Sequence, residues 1–377
     1  MRFRLGPFHH SAGNISAGMV KQAQPRRGAA AILVDCNDVG VQVAEIVELE
    51  DRLGESMSAE WLDVVVSARS AVAQDICSYE LRAPNGVELP AFTPGAHVRV
   101  DLGAGLNRTY SICSDPQDLS HYVIAVLKEP NGRGGSVAMH DRVQTGSTLR
   151  ISRPVNHFPL SDEAPHHVLM AGGIGVTPLL AMARTLKRNG ASYELHYASR
   201  SPERAAFADL LESGALGSMV HTYFDSQPHK KLEIAQVLSA SAPHSHVYVC
   251  GPSGFIEAVR STASALGWDT SRVHFELFAA PPVVRAVAQG EFEVRLVKRG
   301  ISLVVPPDKS VLDVLKTQGI PMDSSCEQGV CGVCVTRVVA GEPDHRDMFF
   351  TDAEHARNDC FTPCCSRSKS PVLVLDL

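Results

Sequence analysis

Cys326-Glu-Gln-Gly-Val-Cys331-Gly-Val-Cys334 places three thiols within nine residues, and Cys364 answers them thirty residues later. So dense a C-x4-C-x2-C run constrains the fold more than any other stretch, because a loop must curl until its side chains converge. The spacing is that of a plant-type 2Fe–2S centre, in which one iron takes Cys326 and Cys331 and the other takes Cys334 and Cys364. Gly329 and Gly332 allow the tight curl, so that backbone N–H groups can point at sulfur. A structural zinc site calls for paired C-x2-C knuckles and fits the x4 gap poorly. A disulfide framework belongs to small secreted domains rather than to a chain of 377 residues. Cys364 is preferred as fourth ligand because Pro363 favours an extended approach. Its neighbours Cys365 and Cys360 leave that choice open.

A chain of this length holds two or three domains. Its 44% hydrophobic and 20% charged residues are those of a globular protein, and the net charge of −6 argues against nucleic acid as a partner. The sequence has no run of eighteen apolar residues, so no membrane span is expected. Ten cysteines without a secretory signal point to a reducing cytoplasm. Residues 1–57 differ in character, with Arg2, Arg4, Lys21, Arg26 and Arg27 preceding the first acid at Asp35. They read as a loosely attached extension, with Met57 as an alternative start.

Short strands are expected at Trp61–Val66, Ile76–Leu81, His97–Leu102, Arg108–Cys113 and Tyr122–Leu127, a spacing that implies an antiparallel barrel or sandwich. Within it, alternation puts Arg108 and Tyr110 on one face and Thr109 and Ser111 on the other. An arginine fork suits a phosphate and a tyrosine ring can wall a heteroaromatic, although a plain strand with a surface arginine reads equally well. Gly134, Gly135 and Ser136 then open a short helix whose N–H groups can bind an anion, or else form a hairpin tip capped by Ser136.

From His167 the period changes to alternating strands and helices, which implies a parallel sheet with helices on both faces. Strands are expected at His167–Ala171, Tyr193–Ser199, Met219–Phe224, His246–Cys250 and His274–Phe278. The intervening helices are Leu179–Arg188, Pro202–Leu211, Leu232–Leu238 and Gly254–Leu266. Ligands of such sheets sit beyond the carboxyl ends of the strands, where Gly172, Gly173, Gly175, Thr177 and Pro178 form one turn and Cys250, Gly251 and Pro252 another. Thr177 offers a hydroxyl to a pyrophosphate. Cys250 is either a small buried hydrophobe or a thiol beside a nicotinamide, and Phe278 either a flavin cover or core. Ala279–Gly290 reads as a linker. Beyond it, a hairpin at Glu291–Val297 and Ile301–Val305, a helix at Ser310–Gln318 capped by Ser310, and strands at Val333–Val339 and Pro371–Leu377 describe a small α+β sheet that grips an edge-bound cluster.

Taken together, Arg108-Thr-Tyr-Ser111, Gly134-Gly-Ser136, Gly172 to Pro178, Cys250-Gly-Pro252, the cysteine run, Gly341-Glu-Pro-Asp-His-Arg-Asp347 and Cys364-Cys-Ser-Arg367 resemble the phthalate dioxygenase reductase family, over roughly Ala59 to Leu377. The resemblance is strongest to reductase components of vanillate O-demethylase type. It implies an antiparallel β-barrel flavin domain (58–160), a parallel-sheet nucleotide-binding domain (161–280), a linker (281–290) and a β-grasp 2Fe–2S ferredoxin domain (291–377).

The cofactors so implied are FMN rather than FAD, and NADH in preference to NADPH, since Glu203 lies between Arg200 and Arg204. The implied partner is a transient Rieske-type oxygenase. Arg108 and Ser136 would hold the FMN phosphate, with Thr109 beside them and Tyr110 and Ser111 at the ring. Gly173, Thr177 and Cys250 would line the nicotinamide side, and Ser111 and Cys250 are the candidate residues at the reacting centre. NADH delivers two electrons as hydride and a cluster accepts one, so a flavin must convert between them, with no residue acting as acid or base. Two other readings are a reductase of the same build serving a haem monooxygenase, and a non-catalytic redox sensor.

Overall fold

The computed structural model describes residues 61–217, 219–279 and 290–377. The expected extension (1–57) and nearly all of the expected linker lie outside the described residues. Three sheets follow one another along the chain, each with its own core.

The first sheet comprises β1 (Trp61–Ala73), β2 (Ile76–Arg82), β3 (His97–Asp101), β4 (Asn107–Ser111), β5 (Tyr122–Leu127) and β6 (Thr148–Ser152) in the order β4-β3-β6-β1-β2-β5, all antiparallel. A bridge between Ile112 and Ile124 joins the two edges and closes the sheet towards a barrel. Alternation decides which residues fill it: Val64 and Val66 of β1, Tyr79 and Leu81 of β2, and Val98 and Val100 of β3 are all fully buried. Between β5 and β6 lies helix α1 (Gly135–Arg142), which starts after Gly134 in the left-handed region at φ 78°.

The second sheet is parallel, with β7 (His167–Gly172), β8 (Tyr193–Ser199), β9 (Val220–Phe224), β10 (His246–Cys250) and β11 (Val273–Glu276) in the order β11-β10-β7-β8-β9. Helix α2 (Val176–Arg188) covers one face through Leu179, Leu180, Met182 and Leu186. The same core includes Ile76, Cys113, Ala125 and Phe158, so barrel and parallel sheet share one apolar interior. Helices α4 (Ile234–Ala240) and α5 (Ser253–Ala265) cover the opposite face. The helix expected at Pro202–Leu211 is instead a single 3-10 turn followed by the short α3 (Ala208–Glu212), because Phe207 adopts a left-handed φ of 61°.

The third sheet orders β12 (Phe292–Leu296), β13 (Ile301–Val305), β14 (Thr336–Ala340), β16 (Cys360–Phe361) and β18 (Val372–Leu375) as β13-β12-β18-β14-β16, with β12 and β18 parallel. A separate pair, β15 (Pro343–Asp344) and β17 (Arg367–Ser368), lies beside it. Helix α6 (Val311–Thr317) packs Val311, Val314 and Leu315 against this sheet. The expected cap is present: the Ser310 hydroxyl accepts from Asp313 N–H while the Asp313 carboxylate accepts from Ser310 N–H. A similar box at Thr351 and Glu354 starts α7 (Asp352–Arg357).

Gly175 shows why glycine is required in the turn after β7. A Cβ there would overlap the backbone carbonyl of Cys250, so a side chain would force the two glycine turns apart. Gly175→Ala should therefore cost about 1–3 kcal/mol and lower the melting temperature by several degrees. Gly254→Ala, inside a helix where a Cβ meets nothing within 4 Å, should leave it unchanged or raise it slightly.

Candidate functional site

The four candidate ligand thiols converge. Cys326, Cys334 and Cys364 are buried, and Cys331 is partly so. The Cys364 thiol contacts those of Cys326, Cys334 and its neighbour Cys365, and the Cys331 thiol contacts that of Cys326. Backbone donors converge with them: Gln328 N–H and Val330 N–H reach the Cys326 sulfur at 3.4 and 3.5 Å, and Cys326 N–H reaches the Cys331 sulfur at 3.4 Å. Hydrogen bonds from the Cys331 and Cys364 thiols, helped by these N–H groups, hold Cys326 far below the ordinary thiol range, as a thiolate.

Glu327, Gly329 and Gly332 all take positive φ, which curls the loop. At Gly329 a Cβ would overlap the Cys365 sulfur, and at Gly332 the Phe349 ring. Four cysteine sulfurs gathered on one loop and its neighbouring segment, wrapped by inward N–H groups, fit an iron–sulfur cluster. Cys365 lies behind the loop, its sulfur 3.2 Å from Thr362 Oγ1, and Cys360 is buried in β16 with its thiol pushed up to about 11 by burial.

One cavity joins this loop to the other two units. Arg108, Thr109 and Ser111 of β4 line it, as do Phe275 to Phe278 at the end of β11, and Ser325, Cys326 and Cys331 of the cluster loop. Polar contacts hold the loop on the barrel. Thr109 Oγ1 and Ser325 Oγ lie 2.7 Å apart, Arg108 donates to the Ser325 carbonyl at 3.5 Å, and the enclosed Arg99 guanidinium pairs with Asp323 at 3.2 Å. Gly135 is required beneath Arg108, since a Cβ there would overlap the arginine stem. Arg133 pairs with Glu327 at 3.9 Å across the same mouth.

The expected residues divide between the cavity and its supports. Arg108, Thr109, Ser111 and Phe278 reach the cavity. Tyr110 packs against the barrel core, with its hydroxyl buried and without a protein partner. The Ser136 hydroxyl accepts from Glu129 N–H at 3.0 Å, and Gly134, not Ser136, is the residue that caps α1. Thr177 is buried and donates its hydroxyl to the Ile174 carbonyl at 3.0 Å, so it is committed within its own turn. Gly172 and Gly251 press together, Pro252 lies against Gly172, and Pro178 is buried in α2. Gly173, at φ 55°, has open space where a Cβ would be. Cys250 is fully buried, and burial pushes its thiol well up, so it is a neutral thiol beneath the cavity.

Glu276 was missed by the sequence reading. It is paired in register with Cys250, its Oε2 accepts from Ser111 Oγ at 3.3 Å, and its Oε1 lies 4.0 Å from His97 Nδ1. Burial raises the carboxyl to about 8 and lowers His97 to about 3, with His157 adding to the latter. Near neutral pH both groups are therefore uncharged, and their contact is not an ion pair. An acid at the end of the apolar run Val273-His-Phe-Glu276 was the available signal. Ser111, Cys250 and Glu276 thus meet from three strands at the cavity wall.

The chain has clear relatives among known proteins. Residues 294–369 match the 2Fe-2S iron-sulfur cluster binding domain, and residues 150–273 match the N-terminal domain of the dimethylamine monooxygenase subunit DmmA-like family. The vanillate O-demethylase oxidoreductase of Pseudomonas sp. (strain HR199 / DSM 7063) is 50% identical over 317 residues, covering 84% of this chain and all of that protein. The solved structure of phthalate dioxygenase reductase is 41% identical, with a TM-score of 0.66 over 84% of this chain and 98% of that one. The chain belongs to the phthalate dioxygenase reductase family. Within that family build, an intact type IV self-sufficient cytochrome P450 monooxygenase also matches, at TM-score 0.74 and 35% identity, over 84% of this chain but 41% of that longer one.

Two outcomes test the site in this family member. Cys326→Ser, Cys331→Ser, Cys334→Ser and Cys364→Ser should each lose iron and visible absorption, whereas Cys365→Ser and Cys360→Ser should keep both. For Glu276, the folded state retains a proton between the ordinary carboxyl value of 4.5 and about 8 that the unfolded chain has lost, so stability falls as pH rises through that window. Glu276→Gln should flatten this fall, as read by melting temperature against pH.

Proposed function

We propose that this chain is the NADH-dependent reductase component of a Rieske-type oxygenase or demethylase system, with FMN and a 2Fe–2S cluster as resident groups. When bound, the flavin accepts hydride from the pyridine nucleotide and passes electrons on singly, while the cluster takes one at a time. The observation that carries the proposal is the shared cavity, where the β4 strand, the carboxyl edge of the parallel sheet and the cysteine loop meet.

Each wall has a part in this reading. Arg108 and Arg133 make one end of the cavity positive, and the N-terminus of α1 adds N–H groups there. That end suits the phosphate of a mononucleotide, and the Arg133–Glu327 pair and Ser325 close it, which favours FMN over the longer FAD. Ser111 and Glu276, joined by a hydrogen bond at the cavity wall, would orient the edge of a heteroaromatic ring bound there. Phe278, at the sheet edge, is an exposed apolar ring at the cavity mouth against which a nicotinamide would lie.

NADH is favoured over NADPH. Arg204 pairs with Asp75 at 3.4 Å, and the Glu203 carbonyl accepts from Gln74 N–H at 2.7 Å, so this turn is tied to the barrel. Arg204 is thereby engaged away from a 2′-phosphate, and Glu203 would repel one. The cysteine ligand set is in keeping with a reducing cytoplasm, and among the described residues no helix is long and apolar enough to cross a membrane.

The resemblance to the self-sufficient cytochrome P450 favours a second reading, in which the acceptor is a haem monooxygenase. Purified protein should release FMN on acid treatment and show kcat/KM for NADH at least about tenfold above that for NADPH. Arg108→Ala should bind flavin weakly. Electron delivery should be faster to a Rieske oxygenase than to a cytochrome P450. Absence of flavin would overturn the proposal, and the reverse acceptor order would select the second reading.

A further inference from the structure

Asp347 closes the stretch Gly341-Glu-Pro-Asp-His-Arg-Asp347, and its side chain has no solvent exposure. A buried carboxylate is costly unless both oxygens are satisfied, and here both are. Oδ2 accepts from Phe350 N–H at 2.9 Å and Phe349 N–H at 3.2 Å, and faces His355 Nε2 at 3.2 Å. Oδ1 accepts from Ser366 Oγ at 3.3 Å and lies 3.7 Å from His345 Nδ1. Ser366 Oγ also accepts from Arg346 N–H at 3.1 Å and meets Thr362 Oγ1 at 2.9 Å. One carboxylate therefore ties residues 345–350 to 362–366, the segment that carries Cys364.

The same turn backs the cluster loop. Met348 N–H donates to the Gly329 carbonyl at 2.9 Å, and Asp347 Cα lies 2.9 Å from where a Gly329 Cβ would stand. The Phe349 ring fills the space left by the missing side chain of Gly332. Its other side meets His157 of the barrel edge-on, with centroids 5.1 Å apart, and it lines the shared cavity. The ligating atoms of Asp347, His345 and His355 lie within 4.8 Å of one another, as a metal site would require. The two imidazoles, however, stack at 4.4 Å and 28°, so no ion can lie in the plane of both rings. The trio is a clamp.

We propose that Asp347 is a positioning residue for electron exit from the flavin: its carboxylate fixes the 345–350 turn, which holds both the cysteine loop and the Phe349 contact to the barrel. The inference rests on the reductase reading and adds to it a residue that touches neither cofactor. Cluster potentials follow hydrogen bonding and solvent access around sulfur, and small misplacements are costly in rate. Asp347 acts on both through one turn.

The test uses the full chain carrying flavin and cluster. Asp347→Asn keeps the shape but loses the charge and one acceptor, which breaks either the Ser366 contact or the Phe349 and Phe350 N–H bonds. NADH-driven bleaching of the flavin should stay within about twofold of the parent, while flavin-to-cluster transfer in a single turnover slows about tenfold or more. The electron paramagnetic resonance spectrum and midpoint potential of the dithionite-reduced cluster should change. Ser366→Ala should shift the potential in the same direction by less. Unchanged spectrum, potential and transfer rate in Asp347→Asn would overturn the inference. If Asp347→Asn loses its iron, Ser366→Ala and Phe349→Leu decide: an altered spectrum or potential in both supports the role, and parent-like values in both overturn it. Should the parent fail to pass electrons from NADH to its cluster, the reductase reading fails instead, and the dithionite-reduced spectra still report on Asp347.

Discussion

Four cysteine sulfurs chained by contacts from Cys331 to Cys326, Cys326 to Cys364 and Cys364 to Cys334 are the constraint on which the rest depends. Thiolates brought this close repel one another unless a cation or hydrogen-bond donors compensate, and the chain supplies donors from its own backbone at Cys326, Gln328 and Val330. That supply requires positive φ at Glu327, Gly329 and Gly332, and close packing of Cys365, Asp347 and Phe349 where side chains are missing. A loop so committed has little freedom of its own. It can be presented to a second redox group only by the way the β12–β18 sheet seats on the barrel.

That seating is polar and specific. Ser325, one residue before the first ligand, bonds Thr109 and receives a bond from Arg108, so the strand whose arginine lines the cavity is also the strand that grips the cysteine loop. The parallel sheet reaches the same place from the other side through β11, whose Glu276 accepts from Ser111. Barrel and parallel sheet share a continuous apolar core around Ile76, Phe158 and Leu169. Their relative placement is therefore set by packing, whereas that of the third unit is set by hydrogen bonds and ion pairs. Polar seatings weaken with salt in a way that apolar ones do not, which suits a unit that must also hand electrons outward.

Much of this was legible in the chain because it is local. Cysteine spacing, the Ser310 cap, strand alternation from Trp61 to Leu127 and the alternating units after His167 each depend on residues a few positions apart. What the sequence concealed depends on contacts across the fold. Glu276 is 165 residues from its Ser111 partner and matters only because β10 and β11 lie side by side. Asp347 looked like part of a motif without a task until Ser366, Gly329 and the Phe349 turn closed around it. Hydroxyls misled for a related reason: Thr177 and Ser136 could each have faced a ligand, but each was captured by a nearer backbone group, the Ile174 carbonyl and the Glu129 N–H. The break at Phe207 was equally hidden, since a left-handed φ is uncommon for an aromatic residue and its type gives no sign of it.

One cavity joins the edge of the parallel sheet, the barrel strand and the cysteine loop, and through it electrons pass from flavin to cluster within the chain. The most direct measurement is an anaerobic titration of the intact holoprotein with NADH, following flavin absorbance and the low-temperature paramagnetic signal in the same samples. The flavin band should bleach, and the signal of a reduced 2Fe–2S centre should grow in without any added mediator. Bleaching that leaves the cluster oxidised until dithionite is added would contradict it.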